Sequence, residues 1–240
     1  ALAAAAAGKV RVLTTVAGTA GDALFRPVRG GNAFEETVER LLQGIRLGVL
    51  TPGDRLPSER ELAAMFNVSR VTLREAIRAL QQAGYVQSRR GRYGGTFVAP
   101  VLPRPRRRGA RTTVVHSGSH LDDVLTLRQV LEVGAAEVAA GLAGTREVQE
   151  HLRARLDDVL RADLDDYRRL DSRLHLAIAE ATGSASLTSA VADVRIRLNE
   201  LLDAIPLLER NIRHSNEQHV AILEAVVAGD PGAARESMAE

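Results

Sequence analysis

Between Asn32 and Ala99 the sequence sets out three helices and then a hairpin, and few folds are built in that order. Phe34, Val38, Leu41, Leu42, Ile45 and Leu47 recur at helical spacing behind Asn32, which is placed to cap them. Leu50-Thr51-Pro52-Gly53-Asp54 carries Pro and Gly where a turn uses them. Ser58-Glu59-Arg60-Glu61 is a capping box, in which hydroxyl and carboxylate satisfy orphan amides, and it opens a short helix to about Phe66. Asn67-Val68-Ser69 is a tight turn. Ser69 then caps a third helix from about Arg70 to Ala83, with Val71, Leu73, Ile77 and Leu80 for packing and Gly84 as its stop. Tyr85–Ser88 and Thr96–Val98 read as two short strands around Arg89-Arg90-Gly91-Arg92-Tyr93-Gly94-Gly95.

That layout is a winged helix-turn-helix, and its chemistry suits DNA. A capped helix, a tight turn and a second helix put the second helix in the major groove with its N-terminal end toward bases and phosphates. Ser69 and Thr72 can bond phosphate or base edges, and Arg70 and Arg74 can make bidentate contacts to guanine or phosphate. The hairpin arginines would reach the backbone or minor groove, and Gly91 lets the main chain come close. Arginines scattered on a solvated face are the plain alternative. Here they sit at a helix N-terminus, where the macrodipole disfavours cations unless an anion is bound.

Charge divides the chain. Residues 1–111 carry 19 Lys/Arg against 8 Asp/Glu, a net +11, and residues 112–240 carry 13 against 22, a net −9. The basic part points to nucleic acid. Residues 1–31, which begin with an alanine-rich stretch, read as an arm. Residues 100–119, with Pro100, Pro103, Pro105 and the arginines Arg104, Arg106, Arg107, Arg108 and Arg111, read as a linker that either adds phosphate contacts or serves as a solvated spacer. From 120 onward strand signals vanish. Helices are expected near 121–142, 145–161, 163–182, 186–204, 209–228 and 231–240. The expected fold class is therefore mainly α, with domains at 32–99 and 120–240. Aromatics are only 3 % of the chain, so the cores must be built from Ala, Leu, Val and Ile. No apolar run is long enough to span a bilayer, no secretory signal stands out and cysteine is absent, which together lead us to expect a cytoplasmic protein.

Two readings compete for the acidic helices: a plain dimerisation bundle, or a bundle enclosing a ligand cavity. Asp171 and His175, four residues apart, project from one helix face and could chelate a metal or simply hydrogen bond at the surface. His219, with His214 five residues before it, lies on a later helix.

Leu56-Pro57-Ser58-Glu59-Arg60-Glu61-Leu62-Ala63, Val68 through Ala76 and Leu80 through Val86 resemble the N-terminal domain of GntR-family repressors, over about residues 34–98. The resemblance implies that Arg60, Arg70, Arg74 and Gly91 contact DNA. Ser69, Thr72 and Arg90 match positions that also do so in the fatty-acid regulator branch. Val71 stands where relatives often carry Thr or a small residue.

Leu127 through Glu132, Asp171-Ser172-Arg173-Leu174-His175, and Glu217-Gln218-His219 with Ile222 through Val226 and Gly229-Asp230 resemble the FCD effector domain of the FadR subfamily. This second resemblance implies a divalent metal held by one Asp and three His, with a carboxylate effector completing its shell. Asp171, His175 and His219 match three ligands, and the fourth would fall at position 241. Neutral imidazoles and a carboxylate suit Zn, Ni, Mn or Fe, and spacing does not choose among them. Arg128 matches an arginine that often faces the cavity, where it could clamp an effector carboxylate, or it could pair with Glu132. Ser184 stands where many relatives carry Asn.

The expectation is a homodimeric regulator, not an enzyme, that binds a double-stranded DNA operator, answers to a small organic acid and has no membrane partner. A structural metal without effector, or a metal-dependent hydrolase, is the rival. Neither a nucleophile elbow nor a phosphate loop accompanies the cluster.

Overall fold

A computed structural model describes residues 33–91, 94–103, 118–142, 144–202 and 209–240. The arm over 1–31, the Asn32 cap, Arg92 and Tyr93 in the hairpin, the arginines between Arg104 and Arg111, Pro206 and position 241 lie outside them. The described residues form nine helices and one two-stranded sheet, and their Cα positions cluster into two units. Leu50–Pro103 and the described part of Phe25–Ile45 make the first; Arg46–Val49 and the described part of Arg104–Glu240 make the second.

In the first unit, α1 (Ala33–Arg46), α2 (Glu59–Phe66) and α3 (Arg70–Gln82) precede β1 (Val86–Arg89) and β2 (Gly95–Val98). Each helix starts and stops where its chemistry dictates. Glu61 N donates to Ser58 Oγ at 3.3 Å while Ser58 N donates to Glu61 Oε2 at 2.9 Å, so the capping box is complete. Asn67 ends α2 in the left-handed conformation at φ 53°, a state its short polar side chain tolerates. Ser69 Oγ then accepts from Thr72 N at 3.0 Å to start α3. The three helices and the hairpin share a core of Leu41, Ile45, Leu62, Phe66, Leu73, Leu80, Val86 and Val98.

The strands pair antiparallel, Val86 opposite Val98 through Arg89 opposite Gly95. Leu56 N donates to the Thr96 carbonyl at 2.9 Å and Arg55 bridges Phe97, so the turn before α2 adds a third edge to the hairpin. The sequence pattern did not signal that pairing. A Cβ on Gly94 would stand 2.4 Å from the Arg89 carbonyl oxygen, which is why the hairpin returns through glycine there.

The second unit holds α4 (Gly118–Gly141), α5 (Arg146–Leu160), α6 (Tyr167–Ala181), α7 (Ala185–Leu202), α8 (Glu209–Ala228) and α9 (Pro231–Ala239). Small residues let them approach closely: Ala136, Ala139 and Ala140 of α4 lie in one core with Ala177 of α6, Ile222 of α8 and Ala234 of α9. The segment expected to be helical from 163 begins its helix at Tyr167 instead. Asp163 Oδ1 accepts from Asp166 N at 2.9 Å, and this local turn competes with the first helical turn.

Removing the α2 cap should be felt at once. Ser58→Ala is expected to cost about 1 kcal/mol of first-unit stability, read as a lower denaturant midpoint for the full chain, and an unchanged midpoint would show that the cap adds nothing.

Candidate functional site

The basic face of the first unit is built by α3 and the hairpin. Arg70, Arg74 and Arg78 recur every four residues on α3 and all three are exposed, as is Val71. Arg74 donates to Glu59 Oε2 from Nη2 at 2.9 Å and from Nε at 3.2 Å, and this contact raises its pKa. Arg78 donates to Glu75 at 2.8 Å. Arg70 has no carboxylate partner among the described residues. Ser69 and Thr72 hydroxyls lie 2.8 Å apart and bond to each other as well as capping the helix. Arg60 is exposed on α2. In the hairpin, Arg90 and Gly91 are exposed, Gly91 at φ 104°, while Arg89 lies over the Phe97 ring, 4.6 Å from its centroid. Residue spacing alone had not singled out Arg78.

The second unit brings the expected Asp and His residues together. Asp171 and His175 stand one turn apart on α6, and His219 comes across from α8. His219 Nε2 is 3.1 Å from Asp171 Oδ1 and 3.3 Å from His175 Nε2, and His175 Nε2 is 3.9 Å from Asp171 Oδ1. Both imidazoles are buried, with their rings edge-on at 75°. His214 is exposed and outside the cluster.

Behind these three stands a network of ions. Arg195 of α7 is almost completely buried, as are Val191, Val194 and Leu198 of the same helix. Its Nη1 donates to Asp171 Oδ2 at 2.7 Å, its Nη2 donates to Glu132 Oε2 at 2.9 Å and its Nε donates to Glu132 Oε1. Glu132, buried on α4, also accepts from Arg128 Nε at 2.9 Å, and its Oε2 lies 3.2 Å from His175 Nδ1. So Arg128 pairs with Glu132 and also lines the cavity described below. Arg195 escaped the sequence reading altogether. The one available signal was its helical spacing from Val191 and Leu198, which puts Arg195 on an apolar face while Asp193 and Arg197 lie off it; a guanidinium buried there must be paired.

Electrostatics follow from that packing. Burial lowers the His175 pKa to about 4 and the nearby Arg195 charge assists, so the imidazole is neutral at pH 7. Burial alone would raise Asp171 and Glu132, but Arg195 together with the neighbouring histidines, and for Glu132 also Arg128, outweighs it and holds both carboxyls below the ordinary range. Burial, then the Asp171 charge, pushes the Tyr167 phenol up to about 12.

The cluster opens on a cavity of about 320 Å³ lined by Arg128, Gln129, Ser215, Gln218, Met238 and Glu240, among others. The donor set fits a divalent metal. A neutral imidazole nitrogen and a carboxylate oxygen converge with a second imidazole, all within 4.8 Å. Metal–nitrogen distances of about 2.0–2.1 Å imply tetrahedral edges of about 3.3 Å, which two of the three separations approach. The buried Nδ1 atoms of His175 and His219 both lack a well-directed hydrogen bond, His175 Nδ1 facing Glu132 Oε2 at 3.2 Å, so each ring is positioned chiefly by what its Nε2 meets.

Residues 34–98 match the family described as "Bacterial regulatory proteins, gntR family", and residues 123–240 match the FCD domain. The "Putative L-lactate dehydrogenase operon regulatory protein" of Escherichia coli K12 is 30 % identical over 226 residues, covering 85 % of this chain and 81 % of its own. The "Exu regulon transcriptional regulator" of the same organism is 28 % identical over 218 residues, covering 85 % and 80 %. Among solved structures, E. coli McbR/YncC is similar over 86 % of this chain and 92 % of its own, at 20 % identity and a TM-score of 0.49.

The His175 shift predicts a pH dependence. In the metal-free protein the unfolded chain binds a proton near pH 6.5 and the folded one only near 4, so stability falls as pH drops through that window. The expected contribution is about 3 kcal/mol across the whole window at 1.36 kcal/mol per unit. Denaturant unfolding at pH 7, 5.5 and 4.5 should show the loss, and His175→Asn should flatten it; equal slopes in the two proteins would refute the assignment.

Proposed function

This chain belongs to the gntR family of bacterial regulatory proteins and is a DNA-binding transcription regulator with an FCD domain, and from that premise we propose that it is a homodimeric repressor, of the FadR subfamily, governed by a small carboxylate bound with a divalent metal. The observation that carries the reading is the convergence of Asp171, His175 and His219 on the wall of a cavity that Arg128 also lines. Domains at 32–99 and 120–240, joined by a basic linker, divide the labour.

In the first domain, Ser69, Arg70, Thr72 and Arg74 read the major groove, with Arg60, Arg90 and Gly91 on the backbone. Glu59 orients Arg74 until a phosphate or base edge takes its place. In the second, Asp171, His175 and His219 hold the ion, zinc, nickel, manganese or iron. When bound, it supplies a Lewis-acidic anchor for the effector carboxylate. Glu132 lies at His175 Nδ1, which favours the tautomer whose Nε2 lone pair faces the cavity. Arg195 occupies Asp171 Oδ2 and leaves Oδ1 toward the imidazoles. Arg128 offers its remaining guanidinium donors to the acid. The acid shifts the population between dimers of different operator affinity, and operator binding must change acid affinity by the same factor.

The first experiment is native mass spectrometry of the full-length protein, with released small molecules weighed after denaturation. One metal and one acid per chain support the reading. Operator affinity is then followed by fluorescence anisotropy with L-lactate, a relative being named for an L-lactate dehydrogenase operon, and with other small acids, before and after chelation. Affinity unmoved by every acid reduces the metal to a staple across α6 and α8.

Two substitutions divide the roles. Arg70→Ala is expected to weaken specific operator binding by about 1–3 kcal/mol, and a native footprint and affinity would remove it from the interface. His219→Ala should lower metal content and leave dimerisation intact, whereas unchanged stoichiometry would exclude it as a ligand.

A further inference from the structure

The basic face of α3 carries a single apolar side chain. The exposed positions of that helix are Arg70, Val71, Arg74, Glu75, Arg78 and Gln82, and Val71 alone among them is apolar. The sequence pattern groups Val71 with Leu73, Ile77 and Leu80 for packing, but the core of the first unit takes in only the other three. Val71 is 69 % exposed, whereas those three are buried.

Its place on the helix is specific. Val71 stands in the first turn between Arg70 and Thr72, and Arg74, Glu75 and Arg78 follow it three, four and seven residues on, along the same face. A β-branched side chain is a poorer helix former than alanine. Neither the core nor helix propensity therefore calls for valine at this position.

The polar groups around it read bases with some latitude. The Ser69 and Thr72 hydroxyls lie 2.8 Å apart and bond to each other, and Ser69 Oγ also accepts from Thr72 N at 3.0 Å. A hydroxyl both donates and accepts, so the capacity left to these two suits either kind of base edge. Arg70 and Arg74 suit guanine, but a guanidinium also takes any phosphate. An isopropyl group has no such choice. Against a phosphate it displaces water and returns no bond. The apolar feature that the major groove offers is the C5-methyl group of thymine.

We propose that Val71 reads a thymine, its γ-methyls packing on the C5-methyl of one base in the stretch of groove that α3 occupies. The contact adds to the guanines suited to the arginines a position at which cytosine, lacking the methyl, is disfavoured. It rests on the reading above that α3 lies in the major groove, and the test separates the two.

Deoxyuridine deletes the methyl and leaves the base pair intact. The probe is a duplex selected by the full-length protein from a randomised pool, with each dT replaced in turn by dU and affinity read by fluorescence anisotropy. One dU position should weaken wild-type binding about 4-fold, the worth of one buried methylene-sized group. Val71→Ala should bind the unmodified duplex about 4-fold more weakly and be indifferent to dU at that same position, because the contact is already lost. Alanine is the better helix former and the site lies outside the core, so the variant should keep the wild-type denaturant midpoint. A Val71→Ala chain that repeats the wild-type dU profile, or a wild-type chain that ignores every dU, overturns the assignment. Native affinity and footprint in Arg70→Ala would remove α3 from the groove and Val71 with it. A loss in Arg70→Ala with no effect of Val71→Ala keeps α3 in the groove and removes Val71 alone.

Discussion

The second unit is organised around one buried guanidinium. Arg195 comes from α7 and distributes its donors between Glu132 on α4 and Asp171 on α6. Taking three charges out of water costs several kcal/mol per ion. The network therefore adds little net stability over an apolar core of the same shape. What it fixes is geometry. If any one of the three helices slides, a buried charge loses its partner, so their relative register is held far more tightly than by alanines and leucines alone. The cluster inherits that register: Asp171 is gripped by one oxygen and presents the other, and Glu132 stands at the far nitrogen of His175.

The same network sets the electrostatic condition of the proposed site. Arg195 and Arg128 balance Glu132 and Asp171, and His175 is neutral. A divalent ion entering beside them brings positive charge into surroundings whose own charges already cancel. On the proposed function, an anionic ligand arriving with the ion would relieve the excess, so metal and acid would each strengthen the binding of the other. A site with more carboxylates and no Arg195 would hold the metal harder and respond less to the acid. On the proposed function, the buried arginine makes the ion a sensor component rather than a permanent staple.

What was legible in the sequence follows from distance along the chain. Ser58 with Glu61, Ser69 with Thr72, and Gly94 in its hairpin all act within a few residues of themselves, so caps and turns announced the first unit before any coordinates were known. Asp171 and His175, one helical turn apart, were likewise visible. His219 lies 44 residues beyond His175, and only family resemblance joined them. The pairing of Arg195 with Glu132 spans 63 residues and has no local signature. Periodicity reports which face of a helix is buried, not which buried charges will meet. The Asp163–Asp166 turn shows the opposite failure, in which a local side-chain bond overrode a helical pattern that had been read as continuous.

The first unit manages its charges differently, and the contrast bears on how operators are told apart. Two of the three α3 arginines are already engaged, Arg74 by Glu59 and Arg78 by Glu75, whereas Arg70 has no acidic partner among the described residues. On a non-specific duplex, phosphates must compete with Glu59 for Arg74, and the displaced carboxylate is left facing a polyanion. That exchange is unfavourable unless a base edge returns a bidentate bond in a geometry the carboxylate had been supplying. On the proposed function, Arg70 meets the operator without first giving up a carboxylate, and the Glu59–Arg74 pair withholds Arg74 from the wrong sequence. On that proposal, loosening the pair would raise affinity everywhere and lower discrimination, which gives an acidic residue a place at the edge of a basic face.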